Sequence, residues 1–97
     1  MIIGICYLDV IIHGNHSLKE KRKVLKGIFD RTRSRFNISI AEIGDNDLWQ
    51  RAKIGFTVAG NERSYIDSLM NEVVEYIEQM RVVEIISRHS DIWSFKP

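Results

Sequence analysis

The chain has one cysteine, Cys6, and that thiol has no partner for an intrachain disulfide or a cysteine-based metal cage. This suits a reducing compartment. No apolar run is long enough to cross a membrane: the opening MIIGICYLDVII carries Asp9 and stops after about 12 residues, where a helix needs about 20. The run also lacks a basic leader, so it is not read as a signal peptide, and no other targeting segment is recognised. A cytoplasmic protein with no membrane role is expected. There is no glycine-rich loop to cradle a phosphate, no low-complexity linker and no repeat beyond two strand–helix–strand halves. His13 and His16, with Asp9 nearby, have no fourth ligand at a recognisable spacing, and His89 stands alone. Cys6 lies in an apolar strand-like run, and Asp45 and Asp47 share a flexible turn. The expectation is no metal, no cofactor and no catalytic set.

What is present begins with length and apolar content. The 97 residues, 44% of them hydrophobic, make one domain spanning 1–97. A chain of this size buries roughly 65% of the surface it would expose unfolded. The total charge of +1 conceals an asymmetry: between Ser17 and Phe36 eight basic residues face only Glu20 and Asp30, a local charge of +6 that leaves −5 elsewhere. Attraction of anions depends on local potential more than on the total.

That basic stretch, HSLKEKRKVLKGIFDRTRSRF, defines a helix. Ser17 and Glu20 have the capping-box spacing, with the hydroxyl accepting from the Glu20 N–H and the carboxylate reaching back to the Ser17 N–H. At 100° per residue Leu18, Leu25, Ile28, Phe29, Thr32 and Phe36 share the buried face, and Lys19, Lys23, Lys26 and Arg33 the opposite one. Asn37 suits a left-handed terminator.

Before this helix, Ile2–Ile12 alternates as a strand that is apolar on both sides, hence central, with Ile3, Ile5, Tyr7, Asp9 and Ile11 outward. After it, residues 38–43 and 52–59 alternate around the turn-rich GDNDLWQ and form a hairpin. Asn61 can cap a second helix with the stripe Ile66, Leu69, Met70, Val73, Ile77 and Met80. Residues 82–88 read as a fourth strand, and HSDIWSFKP has too little periodicity to place. The order β-α-β-β-α-β predicts an α+β, ferredoxin-like sandwich, with two helices on one face of a four-stranded antiparallel sheet whose first and third strands are central.

HSLKEKRKVLK, RFNISIAEI and DLWQRAKIGFTVA, in that order, resemble the YlxP-like family of small bacterial domains of unknown function over residues 1–80. The resemblance implies a cytoplasmic ferredoxin-like domain without known catalysis, whose genes often lie near translation and ribosome-maturation factors. That neighbourhood is an association pointing to RNA. Gly44-Asp45-Asn46 departs from the acidic, glutamine-containing loop expected of such a relative.

The leading expectation is a non-enzymatic protein that binds RNA or a ribosomal particle through the outer row Lys19, Lys23, Lys26 and Arg33, whose spacing stacks cations about 5–6 Å apart along a phosphate backbone. The bland alternative is a solvated face, or pairing with Glu72, Glu75 and Glu78 of the second helix. Lys21 and Arg22, at the helix start, oppose the macrodipole and are expected to bind an anion there, or to lay their stems over the sheet edge. Trp49 offers a base-stacking platform beside Arg51. An RNA-recognition motif is disfavoured because Tyr7 is the only aromatic expected on the outer sheet face. The rival expectation is a self-associating module, a homodimer paired sheet to sheet through Ile3, Ile5, Tyr7 and Ile11.

Overall fold

A computed structural model describes residues 1–96; Pro97, the last residue of the tail, lies outside the described residues. The elements are β1 (Ile2–Ile11), α1 (Leu18–Arg35), β2 (Ser39–Gly44), β3 (Arg51–Gly60), α2 (Arg63–Gln79) and β4 (Glu84–Ser94). The strands form one antiparallel sheet in the order β2-β3-β1-β4. The arrangement is α+β and ferredoxin-like, and β1 and β3 are central as their apolar content requires.

Alternation decides the faces. Cys6, Leu8 and Val10 of β1 and Ile54, Phe56 and Val58 of β3 point under the helices and are buried, while their odd-numbered neighbours face the other way. The helices close the core with Leu25 and Ile28 from α1 and Ile66, Met70, Val73 and Ile77 from α2. Leu18, Phe29 and Phe36 are only half-buried at the margin of α1.

The termini of the helices differ in detail from the sequence reading. Ser17 Oγ accepts from the Glu20 N–H at 3.0 Å, as a capping box requires, but the Glu20 carboxylate accepts from the His16 N–H at 3.1 Å, one residue before the expected donor. Phe36 ends α1 in an extended conformation, its N–H donating to Thr32 O at 2.9 Å. Among the described non-glycine residues positive φ occurs at Asp45 and Arg81, not at Asn37. Glu62, not Asn61, occupies the N-cap of α2, and its side chain makes no cap hydrogen bond.

The fourth strand is the main correction. It starts at Glu84 and runs through the stretch that has no clear periodicity, pairing Ile11 with Glu84 and Ile2 with Ser94 around a bulge opposite Asp9 and Val10. As an edge strand exposed on both faces for much of its length it carries polar residues on both sides, so alternation is weak. This register adds His89 and Trp93 to the outer sheet face, which therefore holds more aromatics than Tyr7 alone.

Candidate nucleic-acid interface

The basic surface of α1 divides into two halves. In the C-terminal half the two cations of the outer row, Lys26 and Arg33, have partners. Lys26 Nζ lies 2.5 Å from the Asp30 carboxylate, four residues on. Arg33 donates to the Ile40 carbonyl at 2.9 Å, stands 3.6 Å from Asp30 and lies over the Phe29 ring at 5.7 Å. Because Ile40 is on edge strand β2, Arg33 also covers an edge carbonyl that would otherwise invite another strand. The competing carboxylate is thus Asp30, inside the row itself, and no pair with Glu72, Glu75 or Glu78 is found among the described residues.

The N-terminal half is different. Lys19, Arg22 and Lys23 are exposed and form no ion pair among the described residues. Lys21, expected beside Arg22 as an anion contact, is corrected: its side chain is 1% exposed. Its Nζ donates to the carbonyls of Asp45 at 2.6 Å and Leu48 at 2.7 Å. It also lies 2.7 Å from Glu42 Oε2, though off the line a hydrogen bond needs, so that this buried oxygen has a charge partner without a hydrogen-bond donor. An ammonium enclosed in this way has nothing left to offer a phosphate.

Lys21 instead fixes the loop that carries Trp49. Asn15, 5% exposed, continues the attachment: its Nδ2 donates to the Trp49 carbonyl at 2.5 Å and to Ser17 O at 3.1 Å. Gln50 Nε2 donates back to Asn15 O at 2.9 Å, and the Ile12 N–H donates to Gln50 O at 2.8 Å. The β1–α1 turn and the β2–β3 loop are therefore one knitted unit, and Trp49, 53% exposed, is held on its surface next to the start of α1. Sequence reasoning singled out Trp49 but not Asn15, whose only signal is an asparagine in a turn.

Arg51 is at the same end of the molecule but opposite Ile11 on the outer sheet face, so it belongs to a different surface from Lys19 and Lys23. That face also holds Ile3, Ile5, Tyr7 and Ile11, all half-buried. The His89 ring from β4 stacks on Tyr7 at 4.4 Å, covering one face of its ring, and Lys53 Nζ from β3 lies 5.6 Å from its centroid. The neighbouring Asp9 accepts from Lys53 and, at 2.6 Å, from Ser87 Oγ, and these two bonds hold its carboxyl below the usual range. The same contact with Asp9 raises the Lys53 ammonium. His13 pairs with Glu84 at 2.8 Å, and no cluster of three metal-ligating side chains occurs among the described residues. Among the same residues no helix is long and apolar enough to cross a membrane.

Comparison with known proteins adds kinship without chemistry. Residues 3–90 match the family described as protein of unknown function DUF503. The chain is 37% identical over 83 residues to the uncharacterised protein YlxP of Bacillus subtilis (strain 168), covering 86% of this chain and 90% of that one. Two solved structures share the fold at low identity. One is the de novo designed protein Foldit4, with TM-score 0.55, 8% identity and 99% and 100% of the two chains covered. The other is the structural-genomics protein YJCS, with TM-score 0.51, 10% identity and 92% and 96% covered.

Proposed function

From the premise that the chain belongs to the DUF503 family, whose description assigns no activity, we propose a function from the site itself: a non-enzymatic binding module for RNA, free or in a ribosomal particle. The observation that carries this reading is the juxtaposition of Lys19, Arg22 and Lys23, which form no ion pair among the described residues, with an exposed Trp49 whose loop backbone is tied down by Lys21 and Asn15. Phosphates take the cations and an unpaired base takes the indole, a combination characteristic of single-strand binders. Such contacts position the chain along a strand and read little sequence. A reducing, cytoplasmic setting accords with the free, buried Cys6.

The test is binding of a single-stranded RNA oligonucleotide across a salt series. If Lys19, Arg22 and Lys23 each neutralise one phosphate, the wild-type log–log slope is about −2. Changing all three to Gln abolishes the slope. Trp49→Ala leaves the slope intact and weakens binding about 5- to 150-fold, the equivalent of about 1–3 kcal/mol for one stacked base. Equal, weak binding by all three proteins at low salt defeats the proposal and makes the basic half-row a solvated surface.

A further inference from the structure

The sheet face that carries no helix has the opposite character to α1. Across its middle runs an open trough of about 500 Å³, floored by Ala41 and Gly55 and walled by Ile43 and the stacked Tyr7–His89 pair. Ile43 at its wall and Trp93, opposite Ile3 on the same sheet face, are each 55% exposed. Ile43 lies so close over β3 that a Cβ on Gly55 would come within 2.9 Å of it. An apolar surface of this kind on a monomer is unusual and marks an interface.

Charge decides what covers it. Asp9 and Lys53 neutralise each other. Asp91 accepts from the Trp93 indole at 2.7 Å and from the Ile92 N–H at 2.8 Å, which lower its pKa. With Arg51 and Glu84 at the end next to Ile11, the face sums to about −1, against +6 on the α1 stretch. A near-neutral face has no pull on RNA or on an anionic membrane, and it meets an identical face without like-charge repulsion. Its size also fits. Strands about 4.8 Å apart rising about 3.3 Å per residue give roughly 600 Å² per copy before side-chain relief is counted. Two copies then bury about 1,200 Å², the threshold of a specific, stable interface.

We propose that this face is a homodimer interface, in which two copies pack sheet on sheet about a two-fold axis, each closing the other's trough above Gly55. Such an interface is isologous, and twisted sheets pack face to face at about −30°. The pairing is independent of the RNA reading, because α1 lies on the far side of each sheet.

Light scattering over a concentration series, with circular dichroism to verify folding, tests it. Wild type is expected at twice 11.3 kDa, and Trp93→Glu and Ile43→Glu at 11.3 kDa. Both substitutions are at exposed positions, so the fold tolerates them. Val82→Glu is the control, an exposed apolar residue ahead of β4 and away from the open face, and it retains the wild-type mass. A wild-type mass of 11.3 kDa at every concentration overturns the proposal, as do face substitutions that leave the mass unchanged or a control that becomes monomeric.

Discussion

Lys21 is the residue whose role is furthest from its appearance. A lysine is rarely fully buried, because an ammonium taken from water loses more than a single contact returns. Here two carbonyls and the Glu42 carboxylate share that compensation, and removing the ammonium strands all three. Lys21→Met is accordingly expected to lower stability by about 3–5 kcal/mol, read from the urea midpoint. Adding Glu42→Gln to Lys21→Met recovers part of the loss, since the uncompensated charge goes while the carbonyls stay unpaired. A loss below about 1 kcal/mol would place Lys21 among ordinary surface lysines. None of this is legible from spacing. The helical period puts Lys21 at the inner margin of α1, but its acceptors, Asp45 and Leu48, come from a loop 24 and 27 residues further on. Trp49 is the reverse case: its loop position is readable from the turn residues around it, and the tie from Asn15 to its backbone carbonyl is not.

Among the elements, α2 packs tightly against the sheet at Gly4. A Cβ on Gly4 would sit 2.7 Å from Ile66 Cγ2, 2.8 Å from Met70 Sδ and 2.9 Å from Val58 Cγ2. Gly4→Ala therefore forces the helix outward and is expected to cost about 1–3 kcal/mol. Gly27 offers the contrast: it is on the exposed side of α1 with nothing within 4 Å of its Cβ position, so Gly27→Ala should stabilise by up to about 1 kcal/mol. Thermal melts that move in opposite directions for the two glycines check both expectations, and a Gly4→Ala melt at or above wild type refutes the close approach. Elements with one dry and one wet face, such as α1 and β3, are readable from pattern because burial imposes the period. The order β-α-β-β-α-β and the central place of β1 follow from that pattern. β4 escapes it because most of this edge strand is solvated on both faces, and Arg33 escapes it because its acceptor is a backbone carbonyl of β2, with no residue identity to read.

At the scale of the whole molecule the two proposed surfaces are on opposite sides of one sheet, and that geometry has a consequence for affinity. Pairing through the open faces turns both α1 helices outward. With sheets about 10 Å apart, helices about 10 Å across and a side-chain layer of about 5 Å between each sheet and its helix, the two basic rows are separated by roughly 40 Å. A dimer then presents two equivalent strand-binding edges, and an RNA with two unpaired segments joined by a linker of matching span engages both. Binding of the second segment becomes intramolecular, and overall affinity can rise by about 10²–10⁴ without any new contact. The expected result is that wild type binds the two-segment RNA far more tightly than the one-segment RNA, while monomeric Trp93→Glu binds both alike. One-segment affinity must be the same for the two proteins, because Trp93 is on the sheet face and Trp49 and Lys23 are not. If Trp93→Glu weakens one-segment binding as much as two-segment binding, the sheet face itself touches RNA, and two separate surfaces on one sheet is the wrong description.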